Sequence, residues 1–585
     1  MKKTNLRLIA LLLVVVALFT ACGQTATPAT EPKTTVAANT NNAATEATEA
    51  AAQYPEYLNM DSAYPIVKDE YADEITLTAV ITMQNDAGEW DDLWICKYLK
   101  EKYNINLEVE YVYYSNRDEQ KNLMYASNEL PDLLLNQAIS TSEVVKYGVE
   151  EGLFLACDEY INETLTPNLY KYMTNSSIAA ACTATDGHVY TLPQIKELAD
   201  DVDSYPRVFI NTAWLEQVGM DLPETLDEFV DAMYAIKEAD PAGVGSANLY
   251  PFGGGMDTNN LSWYLLNGLG YNVNENGYGM KATLRDGQVV IPVYDMEVFQ
   301  EYLKLMNQFW NDGIIAPTYF TIESTEVNAQ VLSGNTAMYN NTVYILGTDL
   351  DQTEWASCKP LTSAWQTEPE VPAASPVGVG GFAISASTKY PELCMRIADA
   401  FYNNDTDMCA AFYGGYGTGT EWAFDYLQRE YIPETNGLAV PAEQLPEGLT
   451  SWNYIVQYLN GNTYPWGAMM TAESMEKLAH SWGSTEYKLT QRRTGDSYWR
   501  GTMFDNLIAY ATESYPTTYY ASAEVMQEIT DLETILNPYV KEQVALFITG
   551  KRDLSEVDAF VAEMESMGMD RLLELYTNIY ADYTK

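Results

Sequence analysis

Alternating and periodic apolar positions between residues 74 and 136 predict three strands separated by two helices. Residues 74–83 alternate and then become continuously apolar, as expected for a strand covered first on one face and then on both. A helix at 91–103, a strand at 105–114, a helix at 117–127 and a strand at 132–136 follow. This βαβαβ order predicts a parallel sheet with helices on its faces. Because such sheets bind ligands at the carboxyl ends of their strands, the loop holding Asn85 and Asp86 is a candidate binding loop.

The stretch 206–241 predicts the point where the chain leaves its first domain. Residues 207–211 form a short apolar run typical of a buried strand, and a helix is expected from Thr212. Thr225 precedes Glu228 by three residues, which is the spacing of a capping box at a helix start. The apolar positions after Thr225 recur at helical spacing, so a second helix follows the first.

Later patterns predict a second lobe, a return strand and a helical C-terminus. A turn before residue 188 introduces a short strand at 188–192, and residues 378–386 read as a strand that brings the chain back to the first lobe. The predicted helices are 262–268, 297–311, 324–333, 391–401, 491–514, 536–548, 555–566 and 571–583.

The first residues have the pattern of an export signal followed by a tether. Lys2, Lys3 and Arg7 precede an apolar run that is too short to span a bilayer, which is typical of a signal peptide at 1–21. Cys22 follows a small residue at the end of that run. Residues 22–55 are rich in Thr, Ala, Asn and Pro with almost no large apolar side chain, so we expect a disordered tether.

Composition narrows the classes of function. The 585 residues carry 32 Lys and Arg against 82 Asp and Glu, a net charge of −50 that repels nucleic acid and anionic lipid. His188 and His480 are the two histidines, and His188 is expected to be structural. Zinc-protease, Cys-x-x-Cys, Gly-x-Ser-x-Gly and phosphate-loop motifs are absent, so no enzyme class is indicated. Six cysteines remain besides Cys22, and spacing alone assigns no disulfide.

Several motifs in one order resemble a known family. Asn-x-x-Trp-Leu-x-x-x-Gly at 211–219, Leu-Pro-x-Thr-x-Asp-Glu-Phe at 222–229, Ala-Asp-Pro at 239–241, Asp-Gly-His-Val-Tyr-Thr-Leu-Pro at 186–193 and Ser-Gly-Asn-Thr-Ala-Met at 333–338 are similar to family 1 of the extracellular solute-binding proteins. Within that family they resemble the lipoprotein branch that supplies oligosaccharides to ABC importers. The residues before Cys22 also resemble a lipobox, with Phe19 in place of the usual aliphatic residue.

The resemblance implies an α/β, two-lobed, periplasmic-binding-protein-like (type II) fold with a hinge, a ligand cleft and extra C-terminal helices. Lobe 1 is expected to hold residues 56–206 with parts of 378–585, and lobe 2 residues 207–377 with parts of 400–535. Residues 536–585 are expected to form a helical cap. Repeated crossings between two lobes imply a cleft that closes by hinge motion.

Aromatic and amide residues in predicted loops are the candidate ligand contacts. Sugar rings stack their C–H faces on aromatic rings and need amide or carboxylate partners for their hydroxyls, and the chain has 12 Trp and 45 Tyr. The candidates are Asn85, Asp86, Asn259, Trp263, Tyr339, Asn340, Trp365, Glu421, Trp422 and Trp466. Some members of the family bind calcium after Asp-Pro, but Ala242 and Val244 of the corresponding loop offer no side-chain oxygen, so no metal and no cofactor are expected.

The sequence therefore predicts a lipid-anchored, monomeric binding protein rather than an enzyme. It would sit at the outer face of the cell membrane, anchored through Cys22, capture a carbohydrate by cleft closure and deliver it to an ABC permease. Two alternatives stay open. One is a binding protein for a peptide or another non-sugar solute, and the other is a secreted glycoside-active enzyme, which needs two carboxylates across a bound sugar.

Overall fold

The computed structural model describes most of the chain after the predicted tether. The described residues are 54–84, 87–195, 205–273, 277–341, 351–375, 377–403, 457 and 498–584. Residues from Tyr54 onward form one compact unit.

The described residues contain twelve strands, three of which have eight residues while the others are shorter. Within the described ranges they are β1 (Thr76–Met83), β2 (Asn106–Tyr113), β3 (Leu133–Leu135), β4 (Thr191–Ile195), β5 (Phe209–Asn211), β6 (Thr283–Arg285), β7 (Gln288–Val290), β8 (Met338–Tyr339), β9 (Trp355–Ser357), β10 (Val371–Pro372), β11 (Val377–Ile384) and β12 (Ala511–Thr512).

Helices make up most of the remaining structure. In the same ranges they are α1 (Trp94–Tyr103), α2 (Arg117–Ser127), α3 (Thr141–Glu143), α4 (Pro167–Met173), α5 (Ser176–Cys182), α6 (Thr212–Gln217), α7 (Leu226–Ala239), α8 (Ser262–Gly268), α9 (Met296–Asn311), α10 (Ser324–Leu332), α11 (Pro391–Ala400), α12 (Tyr498–Asn506), α13 (Ala523–Ile548), α14 (Val557–Ser566) and α15 (Met569–Tyr583).

Lobe 1 is built on a five-stranded sheet in the order β2-β1-β3-β11-β4. Strands β2 and β3 both pair in parallel with β1, which confirms the predicted βαβαβ unit. The return strand β11 is antiparallel to both β3 and β4, so the complete sheet is mixed. Helices α1 and α2 each end at an asparagine with positive φ, Asn104 and Asn128, as helix C-termini commonly do.

Lobe 2 is mainly helical around a small antiparallel sheet in the order β8-β5-β9. The capping box at the start of α7 is confirmed: Thr225 Oγ1 accepts the N–H of Glu228, and the Glu228 carboxylate accepts the N–H of Thr225. The Asn211 side chain, which ends β5, accepts the N–H of Trp214 and so starts α6. The expected strand-to-helix order at 206–241 is therefore correct.

Three predicted elements have the wrong bounds. The strand predicted at 188–192 begins at Thr191, because Val189 forms only an isolated bridge to Thr183. The helix predicted at 491–514 ends at Asn506 in its described part, and Ala511–Thr512 pairs with β10 instead. The helix predicted to start at 536 starts at Ala523 and runs through Pro538, because the buried residues Met526 and Ile529 extend its apolar face upstream.

Buried apolar side chains fall into separate cores in the two lobes. Residues from Leu58 to Ile195 and from Val377 to Tyr402 pack around the lobe 1 sheet. Residues from Tyr205 to Val371 and from Met503 to Ile579 form one cluster in lobe 2. The buried side chains of α13, α14 and α15 thus belong to the core of lobe 2. No helix within the described ranges has the length and apolar character needed to cross a bilayer.

Candidate functional site

The carboxyl ends of β1, β2 and β3 come together at one edge of the lobe 1 sheet. Asn136 follows β3 with a φ of 57°, and its Nδ2 donates to the Thr82 carbonyl oxygen of β1 at 3.1 Å. The same Nδ2 donates to the hydroxyl of Tyr114, which follows β2, at 2.7 Å. Burial raises the pKa of Tyr114, so the phenol stays neutral in the physiological range. An amide and a phenol therefore stand at the edge where parallel sheets bind ligands.

The segment after β3 is held firmly against the sheet. Gln137 is fully buried and its Nε2 donates to Thr82 Oγ1 and to the Leu135 carbonyl oxygen, both at 3.0 Å. Lys121 of α2 donates to the backbone oxygens of Gln137 and Ala138 and lies 3.0 Å from a Glu143 carboxylate oxygen. Because both the side chain and the backbone of this segment are fixed, Asn136 is preorganised.

Lobe 2 presents a cluster of asparagines. Asn260 is buried: its Nδ2 donates to the Met256 carbonyl oxygen at 2.7 Å, and its Oδ1 accepts the N–H of Ser262 at the start of α8. The Asn340 side chain donates to the Asn260 carbonyl oxygen at 2.6 Å. The Oδ1 of Asn340 accepts no hydrogen bond from the described residues. Asn259 is half-buried with a φ of 47°.

Three predicted aromatic contacts have different surroundings. Trp263 is 3% exposed and packs edge-to-face against Tyr264 in the lobe 2 core. Tyr339 is fully buried, and its hydroxyl donates to Asn328 Oδ1 at 2.7 Å. Trp365 is 37% exposed, with the Arg285 guanidinium carbon 5.7 Å from its ring centroid.

The structure thus brings part of the predicted set together. Asn340 bonds to Asn260, and Asn259 and Trp263 lie on either side of Asn260 in sequence, whereas Trp365 lies against Arg285 and the β6–β7 hairpin. The predicted residues Asn85, Asp86, Glu421, Trp422 and Trp466, and the predicted lipidation site Cys22, lie outside the described residues.

Two cavities lie between the lobes, where the chain crosses from one to the other. The smaller, of about 600 Å³, begins two residues after Asn136 and is lined by both lobes and by the crossing segments around β10 and β11. Among the described residues, its polar lining consists of hydroxyls, amides and one lysine, with no carboxylate: Ser140, Thr141, Gln194, Asn272, Lys281, Thr283, Ser375, Ser514, Tyr515, Thr517 and Thr518. The described lining is therefore polar, with Lys281 as its one charged side chain.

The larger cavity, of about 1110 Å³, adjoins the smaller one. It extends between α5 of lobe 1 and α15 of lobe 2, and the two cavities share residues of the crossing segments such as Ser375, Tyr515 and Thr518. Because both lobes contribute walls, a change in the angle between the lobes changes the shape of this space.

Sequence reasoning missed the polar groups that stand out in the structure. Tyr114 and Asn136 follow β2 and β3 as Asn85 follows β1, so the rule that selected Asn85 selects them too when applied to every parallel strand. Asn272 is 4% exposed, and its Nδ2 donates to Thr512 Oγ1 at 2.8 Å. No local pattern identifies Asn272, because its partner lies 240 residues away.

Other potential chemistry has structural partners. His188 Nδ1 lies 3.0 Å from Asp158 Oδ1 on the surface of lobe 1. The cysteines in the described ranges form no disulfide, and burial raises the pKa of Cys157, Cys182, Cys358 and Cys394. Thiols with raised pKa values are poor nucleophiles. No group of three or more His, Cys, Asp or Glu residues suited to a metal ion occurs in the described part of the chain.

Two lobes with separate cores, joined by several crossings around shared cavities, define a protein of the binding-protein class. The chain matches the model of the bacterial extracellular solute-binding proteins over residues 79–407, more than half of its length. The chain belongs to this family.

Two named relatives match different shares of the chain. The fructooligosaccharide ABC transporter substrate-binding protein FusA of Streptococcus pneumoniae is 24% identical over 485 residues, which are 80% of this chain and 84% of FusA. Lipoprotein LipO of Bacillus subtilis is 26% identical over 41% of this chain and 45% of its own length.

Solved structures share the two-lobed fold. A FusA EF-hand mutant in complex with fructo-nystose superposes with a TM-score of 0.69 at 20% identity, covering 87% of this chain and 99% of FusA. The alginate-binding protein AlgQ2 without calcium ion superposes with a TM-score of 0.58 at 17% identity, covering 86% of this chain and 98% of AlgQ2. The predicted type II binding-protein fold is confirmed.

Proposed function

We propose that this chain is the substrate-binding component of an ABC importer and that it captures a neutral oligosaccharide between its lobes. The observation that carries the proposal is the hydroxyl- and amide-rich lining of the smaller inter-lobe cavity, in a chain whose net charge of −50 disfavours anionic ligands. Tyr114, Asn136 and the described lining of this cavity offer hydroxyl and amide groups, which suit sugar hydroxyls. The relatives FusA, named for a fructooligosaccharide, and AlgQ2, named for alginate, support a saccharide.

Binding would work by closure without chemistry. A ligand that contacts both lobes is bound more tightly in the closed form, so it shifts the population from open to closed. In this proposal lobe 1 supplies Asn136 and Tyr114, and lobe 2 supplies Asn259 and Asn340, the latter positioned by its hydrogen bond to the Asn260 carbonyl oxygen. The remaining predicted contacts, Asn85, Asp86, Trp263, Tyr339, Trp365, Glu421, Trp422 and Trp466, are part of the same proposal.

The first test is a thermal-shift screen of the purified protein with neutral oligosaccharides, uronic-acid oligosaccharides and short peptides. A ligand at 100 times its Kd stabilises the folded state by about 2.7 kcal/mol. A shift with neutral oligosaccharides that are recovered intact supports the proposal. A shift with uronates or peptides alone contradicts the substrate class, and recovery of a cleaved sugar replaces the binding protein with a glycoside-active enzyme.

A matched pair of variants tests the site. Asn136→Ala removes the amide that links β1, β2 and β3, and we expect the affinity for the saccharide to fall about tenfold, the effect of about 1.4 kcal/mol. Asn311→Ala changes an exposed asparagine at the end of α9 whose side chain, among the described residues, donates to Asn307, so its affinity should equal that of the wild type. Equal affinities for all three proteins, measured by calorimetry, would remove Asn136 from the site.

The proposed location is the outer face of the cell membrane, with lipid attached at Cys22, no other membrane contact, and a monomeric protein that meets the permease. LipO, which is named a lipoprotein, supports the anchor. Cys22→Ser should move the protein from the membrane fraction into the medium. An unchanged membrane fraction would contradict anchoring through Cys22.

A further inference from the structure

Residues 240–251 of lobe 2 match the spacing of a twelve-residue calcium loop but lack most of its ligand side chains. In an EF-hand loop, positions 1, 3, 5, 9 and 12 supply oxygen ligands, position 7 supplies its backbone carbonyl, and position 6 is glycine. Here Asp240 holds position 1, and Gly245, with a φ of 87°, holds position 6. The other side-chain positions include Ala242 at 3, Val244 at 5 and Pro251 at 12, which have no side-chain oxygen.

The fold family implies a calcium ion at such a loop, since the FusA structure is that of an EF-hand mutant and the AlgQ2 structure is a form without calcium. The residues of this chain do not fit one. Calcium takes six to eight oxygen ligands. The single carboxylate of the loop, Asp240, accepts the N–H of Val244 at 3.1 Å and the N–H of Gly245 at 2.7 Å.

A lysine takes one of the oxygen atoms that a metal would use. Lys237 lies on the last turn of α7, and its Nζ donates to the Ser246 carbonyl oxygen at 2.6 Å. Ser246 is position 7, whose carbonyl is a metal ligand in an EF-hand. The same Nζ donates to the Leu249 carbonyl oxygen and lies 5.1 Å from the centroid of the Tyr250 ring.

The rest of the loop closes around this arrangement. Asn248 Nδ2 donates to the Val244 carbonyl oxygen at 2.9 Å, and Asn335 Nδ2 donates to the Asn248 carbonyl oxygen at 2.9 Å. The turn at Gly334 packs so closely on Ala242 that a Cβ at Gly334 would lie 2.8 Å from the Ala242 methyl group. A larger oxygen-bearing side chain at position 3 would have to displace that turn.

We infer that the ammonium group of Lys237 serves as the internal cation of this loop, so that the loop folds without calcium. The ammonium contacts two carbonyl oxygens and an aromatic face. These contacts replace the water molecules that the ammonium loses on burial. Partial burial lowers the pKa of Lys237, in agreement with an ammonium that is partly withdrawn from water. This inference concerns the folding of lobe 2 and is independent of the ligand proposed above.

Calcium dependence of thermal stability tests the inference. We expect the melting temperature of the purified wild-type protein to be the same in EDTA and in millimolar calcium. Lys237→Met should lower it by about 2–4 °C, the shift that about 1 kcal/mol produces in a domain of this size, and calcium should not restore it. Lys304→Met is the matched control, because Lys304 is an exposed lysine of α9 whose one ion pair within the described ranges is with Glu301.

Hydrogen exchange localises the effect. In Lys237→Met the amides of Val244 and Gly245 should exchange faster, while those of α9 keep the wild-type rate. Stabilisation of the wild type by calcium would overturn the inference. So would a Lys237→Met protein with the melting temperature and the loop exchange of the Lys304→Met control.

Discussion

Lobe 1 buries charged side chains where lobe 2 buries asparagines. Among the described residues, Lys121, Arg396 and Asp399 are buried in lobe 1, whereas the buried charge of lobe 2 is Arg552, at 9% exposure. The buried asparagines, Asn211, Asn260, Asn267 and Asn272, are all in lobe 2.

The difference follows from how each lobe is connected. Lobe 1 is completed by residues 377–402, which come back to it after the chain has passed through lobe 2. Asp399 of this segment accepts a hydrogen bond from Asn168, which lies 231 residues earlier. A charge-assisted hydrogen bond is strong and directional, so it fixes such a distant segment in one register. Lobe 2 fixes its segments by extensive apolar packing, in which α13, α14 and α15 extend one cluster. Lobe 1 should therefore respond most to the loss of a charge, and lobe 2 to the loss of volume.

The largest effect is expected from Asp399→Ala. Asp399 Oδ1 accepts the N–H groups of Asn168 and Leu169 at the start of α4, at 2.9 and 2.8 Å, where Thr166 supplies no side-chain cap. The loss of the Asp399 carboxylate also removes the ion pair, 3.9 Å long, that it forms with the buried Arg396 guanidinium. Breaking a buried charged pair costs about 3–5 kcal/mol.

Calorimetry of Asp399→Ala should show a lower transition temperature for lobe 1. The control is Glu119→Ala, an exposed acidic residue of α2 in the same lobe, which should leave the transition in place. A fall of the same size in both variants would show that the general charge balance, rather than the cap on α4, stabilises lobe 1.

The next effect is expected from Leu572→Ala in lobe 2. Leu572 of α15 is fully buried in the lobe 2 core, and truncating a buried leucine costs about 2–5 kcal/mol because a cavity remains. Ile535→Ala, on the exposed side of α13 at 54% exposure, should cost far less. If Leu572→Ala lowers the transition temperature of lobe 1 as much as that of lobe 2, the two cores unfold together. The predicted difference in the stability of the two lobes is then wrong.

A smaller effect is expected from Thr225→Ala. The capping box of α7 satisfies backbone N–H groups on both sides of the helix start, and loss of such a cap costs about 1 kcal/mol. Thr225→Ser keeps the hydroxyl and should retain most of the stability in urea unfolding. Equal losses in both variants would attribute the effect to the threonine methyl group and not to the cap.

Local signals in the sequence were enough for elements whose causes are local. The alternation before residue 83, the helix of Arg117–Ser127 and the capping box at Thr225 each depend on neighbours within a few residues, and each is confirmed. The antiparallel position of β11 beside β3 is not local, since it depends on which strand edge is free after the chain has crossed both lobes. Pro538 likewise indicates a helix boundary locally, but burial of the upstream face outweighs it.

The candidate site shows the same division. The rule for parallel strands points to loop positions from sequence alone, and it reaches Tyr114 and Asn136 once all strand ends are considered. The bond between Asn340 and Asn260 and the place of Asn272 in the inter-lobe cavity depend on contacts over 80 and 240 residues. The loop positions at the strand ends could therefore be predicted from the sequence, whereas the set of side chains that converges could not.

The smallest effect is expected from His188→Gln and tests whether exposed charges in lobe 1 behave like buried ones. The hydrogen bond that His188 donates to the Asp158 carboxylate raises the pKa of His188, so the protonated form is favoured in the folded protein. This contribution is fully present below the unfolded pKa of about 6.5 and is lost as pH rises through the higher folded pKa. The wild-type melting temperature should thus decline slightly from pH 6 to 8, and His188→Gln should remove that decline.

Asp158→Asn should remove the decline equally, and the double variant should add nothing further. A decline that persists in His188→Gln would assign the pH dependence to another group. The His188 ring is half-exposed and water screens its pair with Asp158, so the decline should be smaller than the effect of Asp399→Ala. A decline as large as that effect would show that surface and buried charges in lobe 1 contribute equally to stability.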